Sequence, residues 1–331
     1  MKIIECIPNF SEGANQETLA KIAHAIKSTE NVKLLHQDSG KAANRTVFTY
    51  AGEMEAVFEA TYRAIQVATE TIDMQTQKGE HPRIGACDVC PFVPISGITM
   101  DELITKVQAF AEKVSKELGV PIFLYEESAK SATRRNLAKH RVGGYEALEK
   151  RMADKKWLPD FGKFNPKTGG TVMGARNFLV AYNINLNTKD AAIAQEIAYD
   201  LRELGRPMGK DNGKTIYQPG LLKKVKAIGW YIEDFGIAQV SINLTDYKTT
   251  SLYDVFETAK QLAAKHGVEV TGSELIGLLP KEALVKTGKQ YAQQEDWTEK
   301  EYISLAEDHL GLAELFPFDP NLRILEYVMN A

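Results

Sequence analysis

Twice along its 331 residues the chain spells the same succession, strand–helix–strand–strand–helix–strand, and that order leaves few folds open to it. In the first half, apolar runs predict strands at 3–7, 32–36, 46–51 and 88–94. Leu19, Ile22, Ala23 and Ile26 fall at helical spacing and predict a helix over 17–27. Ala56, Val57, Ala60, Ile65, Ala68 and Ile72 predict another over 53–72. A third, over 100–118, lies between the cap Thr99 and Gly119, and 120–125 reads as extended. The second half begins again with strands at 178–186, 225–231, 238–244 and 268–271 and helices at 189–204 and 251–265. Asp234, Phe235 and Gly236 form the turn between its middle strands, and 205–222 is a glycine- and proline-rich excursion. The expected class is α+β, with two βαββαβ halves and a helical extension from 276 onward. The Gly-, Pro- and Lys-rich stretch 157–171 reads as a loop between the halves, with domains at 1–176 and 177–331.

Two strands of the second half alternate in character. Tyr182, Ile184 and Leu186 fall on one face and Asn183 and Asn185 on the other; Val240, Ile242 and Leu244 oppose Gln239, Ser241 and Asn243. One side of that sheet is thus apolar and the other rich in amides, either solvated or facing a ligand.

The net charge of −4 gives no bulk attraction to nucleic acid. No apolar run approaches the roughly 18 residues of a membrane span, and the N-terminus reads as a strand rather than a leader. A cytoplasmic location without membrane attachment is expected. Three cysteines argue against a disulfide framework. Cys87 and Cys90 form a C-x-x-C, but there is no partner motif for zinc and the run around them is strand-like. They read as two reduced thiols in or beside a strand.

One turn concentrates the chemistry: Gly79-Glu80-His81-Pro82-Arg83-Ile84-Gly85-Ala86. Pro82 biases His81 away from helical geometry, and the glycines permit close backbone approach. Such a turn holds one imidazole, the side chain suited to proton transfer near neutral pH, rigidly on a connection. Arg83 offers a planar fork for a carboxylate. His24, His36, His140, His266 and His309 read as surface or packed residues. Asp38 ends a strand, where it either orients the histidine or closes its own turn with Ser39 and Gly40.

The chain resembles the formiminotransferases (glutamate formimidoyltransferases). The matching blocks are Ile7-Pro8-Asn9-Phe10-Ser11-Glu12-Gly13, Asp38-Ser39-Gly40 with Asn44-Arg45-Thr46, the His81 turn, and Asp88-Val89-Cys90-Pro91-Phe92. They continue through Arg141-Val142-Gly143-Gly144-Tyr145, Pro159-Asp160-Phe161-Gly162, Gly174-Ala175-Arg176 and the two alternating strands to Ile324-Leu325-Glu326-Tyr327. The resemblance implies two ferredoxin-like halves, a homodimer, and transfer of a formimidoyl group from N-formimidoyl-L-glutamate, a product of histidine breakdown, to N5 of tetrahydrofolate. It places the catalytic histidine on His81, strengthens a supporting role for Asp38, and requires no metal.

In the family the segment matching Phe164, Asn165, Pro166, Lys167, Thr168, Gly169, Gly170, Thr171, Val172, Met173 and Gly174 touches folate. Here Gly169, Gly170 and Thr171 are expected to offer backbone N–H groups to an anion or a pterin edge, while Asn165, Pro166 and Lys167 depart from the animal pattern. Both small-molecule substrates carry glutamyl carboxylates, so Arg45, Arg83, Lys163, Lys167, Arg176, Lys223 and Lys224 form the pool of candidate cations. Arg45, Arg83, Lys163, Asn183, Asn185 and Gln239 are the expected substrate contacts, in a cleft between the halves. The chain reads as a stand-alone transferase, ending too soon for the cyclodeaminase that animal relatives append. Three rival readings stay open: a formyl instead of a formimidoyl donor, a non-catalytic folate-binding protein, and an amino-acid-binding regulatory module.

Overall fold

The computed structural model describes residues 1–331 except Ala42, Glu80, Asp234, Gln294, Glu295 and Ala331. Glu80 of the histidine turn and Asp234 of the second-half turn therefore lie outside the described residues. The chain divides into two units, Met1–Arg176 and Asn177–Ala331, each mixing helices and strands.

The first unit runs β1 (Ile3–Cys6), β2 (Asn9–Phe10), α1 (Gln16–Lys27), β3 (Val32–Gly40), β4 (Arg45–Glu53), α2 (Met54–Thr71), β5 (Cys87–Ser96), α3 (Met100–Leu118) and β6 (Ile122–Leu124). Then come the short helices α4 (Leu137–His140) and α5 (Leu148–Met152), and β7 (Thr171–Ala175). β1 and β2 both lie between β4 and β5, and β3 pairs with the far side of β4; all these contacts are antiparallel. β7 and then β6 extend the sheet beyond β5 in parallel. Ile4, Cys6, Phe48, Tyr50, Cys90 and Phe92 point to the side on which α1, α2 and α3 contribute Ile22, Ile65 and Val107 to one buried core. Each of these side chains is withdrawn fully from water, which stabilises the layer by roughly 1.5–3 kcal/mol for a Val, Leu, Ile, Phe or Met. The three thiols are free and buried, with Cys6 Sγ 3.7 Å from Cys90 Sγ.

The stretch expected to link the halves lies inside the first unit. After α5 the chain returns to this sheet, and residues 171–175 form a strand between β5 and β6. Five residues after a Gly–Gly pair carry too little periodicity to announce a strand; pairing on both edges and complete burial make it one.

The second unit runs β8 (Val180–Leu186), α6 (Ala191–Leu201), β9 (Arg206–Asp211), β10 (Lys214–Gln218), β11 (Val225–Ile232), β12 (Ile237–Leu244), α7 (Leu252–Lys265) and β13 (Val270–Ile276). The helices α8 (Lys281–Tyr291), α9 (Glu299–Leu310), α10 (Pro320–Arg323) and α11 (Leu325–Asn330) follow. Its sheet has the order β11-β12-β8-β13, antiparallel throughout. Tyr182, Ile184, Val240 and Ile242 pack against Ile197 of α6 and Val255 of α7. Ser251 and Asp254 start α7 with a reciprocal capping box. The excursion at 205–222 is a hairpin, β9 with β10, and β13 extends past the strand expected at 268–271.

The connection from α2 to β5, which carries the histidine turn, is sewn to the chain just before β7. Ala86 N donates to Thr168 O at 2.8 Å and Gly170 N to Ile84 O at 2.9 Å. A Cβ on Gly85 would stand 2.2 Å from Gly170 O, and one on Gly79 2.4 Å from Ala43 O. Both glycines serve close approach of backbone to backbone. Gly85→Ala is expected to lower the stability of the chain by roughly 1–3 kcal/mol, read as a fall in the urea midpoint; an unchanged midpoint would mean that the two segments part without cost.

Candidate active site

The helix-free side of the first sheet is where polar side chains gather. Because Phe48 and Tyr50 face the helices, Arg45, Val47 and Thr49 of β4 face the other way. Asn9 of β2 and Asp38 of β3 are both registered with Val47, so they share that face. Over it runs the arm 137–157. Leu148 and Met152 of α5 pack with Val89, Phe123 and Val172 of the sheet and with Ile84 of the turn. That apolar patch brings Arg141, just after α4, to the histidine turn.

Arg45 is the side chain that meets His81. Its Nη1 donates to His81 Nε2 at 2.8 Å and to Asn9 Oδ1 at 3.1 Å. A guanidinium only donates, so Nε2 accepts and the proton of the neutral ring sits on Nδ1. Nδ1 is buried and makes no hydrogen bond among the described residues. Burial, then the charge of Arg45, then that of Arg141 pull the ring's pKa down to about 4, while the Pro82 backbone, the smallest influence, favours protonation. The sequence leads one to expect an imidazole poised near neutrality; the structure holds it neutral and well below that range, because two cations surround a half-buried ring.

Asp88 of β5 fixes this arrangement. It is 1% exposed; its Oδ1 accepts from Ile84 N at 2.8 Å, and its Oδ2 accepts from Arg141 Nε at 2.9 Å and from Arg141 Nη2. Burial raises the Asp88 pKa, and the Arg141 and Ile84 bonds oppose the rise. Neither Asp88 nor Arg141 stands out from the turn motif alone. The available signal was an acid inside an apolar strand, which must be matched by a cation or by several donors.

Arg83 is engaged within the protein. Its Nε donates to Gln77 Oε1 at 2.7 Å, its Nη2 to Gln77 O at 2.9 Å, and its fork closes on both Glu146 oxygens at 2.9 Å. The Arg83 bonds hold the Glu146 carboxyl down to about 2. Arg83 braces the turn against the arm. Asp38 is exposed, and its charge reaches Arg45. Two surface grooves, about 310 Å³ around Phe58 and Phe110 and about 450 Å³ around Lys223 and Tyr253, contain none of these residues.

Residues 3–176 match the family model "Formiminotransferase domain, N-terminal subdomain", and residues 181–330 match "Formiminotransferase domain". The chain belongs to the formiminotransferase family. It is 44% identical to a glutamate formimidoyltransferase of Streptococcus pyogenes serotype M1, over 93% of this chain and 99% of that one. It is 37% identical to the glutamate formimidoyltransferase of Thermoplasma acidophilum, over 88% and 93%. It is 46% identical to the formimidoyltransferase-cyclodeaminase of Mus musculus, over 99% of this chain; that match spans 60% of the relative's length. The chain thus spans about three-fifths of the bifunctional relatives it matches.

The segment that the family resemblance assigns to folate is largely committed to the fold. Gly169 N donates to Asn165 O at 2.8 Å, Gly170 N to Ile84 O, and Thr171 N to Pro121 O at 2.9 Å. The backbone donors expected to receive an anion are therefore already used. Thr168 through Gly174 are buried, and Val172, Met173 and Gly174 lie within β7. Phe164, Asn165, Pro166 and Lys167 keep accessible surface, and Lys163 is exposed. Lys167 Nζ donates to Glu70 O at 3.1 Å, and Asn165 Oδ1 accepts from Lys167 N at 3.0 Å. In the second unit the amides are also engaged. Gln239 Nε2 donates to Asn185 Oδ1 at 2.7 Å, Asn185 Nδ2 donates to Glu314, and Asn183 Nδ2 to Glu274 Oε2 at 3.4 Å. These three amides are buried, while Ser241 of the same face is half-buried and Asn243 is exposed, and Gln239 Oε1 has no hydrogen-bond partner among the described residues.

The depressed pKa of His81 makes a prediction about stability. The unfolded chain binds more protons than the folded one between pH 4 and about 6.5. The stability that His81 contributes is full above the upper value and is lost as the pH falls toward the lower. The drop in urea midpoint from pH 7 to pH 5 should shrink in His81→Asn; an equal drop in both proteins would place the ring in an unperturbed environment.

Proposed function

We propose that the chain transfers the formimidoyl group of N-formimidoyl-L-glutamate to N5 of tetrahydrofolate, giving 5-formimidoyltetrahydrofolate and L-glutamate, as a step of histidine catabolism. The observation that carries the reading is a neutral imidazole, fixed by a buried carboxylate and flanked by two guanidinium groups, in a chain 44% identical to a glutamate formimidoyltransferase over 93% of its length. Tetrahydrofolate is the co-substrate, and the chemistry needs no metal.

The reaction exchanges one C–N bond for another. N5 attacks the imino carbon and a new C–N bond forms; the bond to the glutamate nitrogen breaks. The proton of N5 must leave and the glutamate nitrogen must gain one, so a single imidazole that takes the first and returns it balances the step. Its neutral resting state supports the base role, and general acid–base transfer of this kind contributes about 10²–10⁴-fold. Holding two substrates together supplies the remainder. Folate contacts fall to Phe164, Asn165, Pro166 and Lys167, the part of the assigned segment that keeps accessible surface, with Lys163 beside them. Asp38 acts on the base through Arg45, whose charged form it favours.

The order β3-β4-β1-β5 in one unit and β11-β12-β8-β13 in the other supports reading each as a ferredoxin-like half. Family resemblance supports a cytoplasmic homodimer; no helix among the described residues is long and apolar enough to cross a membrane.

His81→Ala should lower turnover about 10²–10⁴-fold with tetrahydrofolate binding retained. Purified protein, tetrahydrofolate and formimidoylglutamate, followed by absorbance, give the measurement; retention of a third or more of the turnover, on the order of a 0.7 kcal/mol effect, would remove His81 from the chemistry. Asp38→Asn should slow transfer less and move the acidic limb of the pH–rate profile downward, since a lost carboxylate leaves the cations less compensated. An unmoved limb, with chemistry rate-limiting, separates Asp38 from the base.

A further inference from the structure

Arg45 forms no ion pair among the described residues, and only the more distant Asp88 and Asp38 favour its charge. Its Nη1 divides between two neutral acceptors, Asn9 Oδ1 and His81 Nε2, and no carboxylate among the described residues lies within ion-pair distance of it. Burial and the nearby charge of Arg141 both penalise its cation. Arg141 spends Nε and Nη2 on Asp88, and its Nη1 makes no hydrogen bond among the described residues. The charged groups acting on His81 are Arg45 of β4 and Arg141 of the arm; Asp88 of β5 and Asp38 of β3 act on Arg45. Two guanidinium groups therefore stand beside a neutral ring, and the one buried carboxylate there is paired with Arg141 alone. That excess positive charge is complementary to an anion, and a guanidinium fork fits a carboxylate with two parallel bonds.

We propose that Arg45 and Arg141 form the receptor for a carboxylate of the amino-acid donor, and that this carboxylate draws the Arg45 donor off His81 Nε2, freeing the base only when the donor is bound. The proposal rests on the transfer reading above. It assigns a second task to the contact between Arg45 and His81. In the empty site the lone pair that must take the N5 proton is occupied by a guanidinium N–H. A carboxylate is a stronger acceptor for that donor than an imidazole, because the bond is then charge-assisted on both sides. Its negative charge also offsets the two cations that disfavour protonation of the ring. Binding and activation are thus one event.

The test uses the full chain with ¹⁵N-labelled histidine and follows the His81 ring nitrogens by NMR through a pH titration, with His81→Asn assigning the signals. L-Glutamate is the probe, and p-aminobenzoyl-L-glutamate, which carries the folate tail, is the second arm. The expected result is an upward move of the His81 midpoint by about one to three pH units with L-glutamate. Arg45→Gln should raise the midpoint of the empty protein and abolish the response to glutamate. Arg45→Lys keeps the charge and removes the fork, so its empty midpoint stays low and its response weakens; it carries the test where Arg45→Gln does not fold. A midpoint that glutamate leaves in place, a response equal in the wild type and both variants, or a response to p-aminobenzoyl-L-glutamate alone would each overturn the proposal. The titration needs no turnover. A protein that shows the glutamate response but transfers no formimidoyl group overturns the functional reading, whereas one that transfers with an unmoved His81 overturns the receptor.

Discussion

A carboxylate buried in the middle of a sheet determines where the rest of the site can be. Asp88 sits on β5 with 1% of its surface exposed. Removing such an ion from water costs several kcal/mol, and only close pairing with full hydrogen bonding offsets it. Three donors do so: one backbone N–H from the turn at Ile84 and two from Arg141 on the arm. The turn and the arm are therefore not independent attachments. Loss of Arg141 would strand the charge, at about 3–5 kcal/mol, and remove one of the two ion pairs that hold the arm. The His81 turn thus gains rigidity from a group that never touches the ring.

The arm reinforces the same geometry from its other end. Glu146 grips Arg83 while Arg141 grips Asp88, so two ion pairs of opposite polarity join the arm to the chain on either side of Ile84. His140 packs edge-on against Phe123 and Trp157, and its Nε2 bonds to Arg134 O at 2.7 Å. Arg151 donates to the carbonyls of Lys139, His140 and Val142. The arm is a run of short helical turns. Side chains accept or donate at the backbone groups that such short turns leave without a partner of their own.

Legibility from sequence followed the strength of local signals. The long helices could be read because α2 and α3 repeat apolar residues over several turns, and Thr99 caps α3 where its side chain predicts. β7 could not, since its five residues become a strand only by pairing with two neighbours far away in the chain. The histidine turn was visible through its glycines and proline, but the direction of Arg83 was not: adjacency to His81 in sequence put it on a different partner, Glu146. Gly169 and Gly170 were visible as special backbone and open to two uses. An anion nest and a close backbone crossing both call for glycine, and Gly85 opposite them, with no room for a Cβ, is what selects the crossing. Arg141 was visible as part of a matching block, but its pairing was not, because it is set by a buried acid 53 residues earlier.

On the proposed reading, a transferase that uses His81 as its base faces a conflict that the charges around the ring address. A base with a pKa near 4 is fully deprotonated at neutral pH but too weak to accept an amine proton readily. A stronger base would be available at all times, including when water rather than folate lies next to the donor. Placing two cations beside the ring keeps its basicity low at rest, and on the proposed reading the donor itself brings the counter-charge that raises it. The strength of the base then depends on occupancy, so interaction with the substrate's non-reacting carboxylate is converted into reactivity at the reacting atom. The arrangement demands that the cations be fixed in number and position before the donor arrives. Asp88 meets that demand for Arg141 by holding it in place and matching its charge, which leaves Arg45 with only the exposed Asp38 acting on it besides and with room for the carboxylate of a donor.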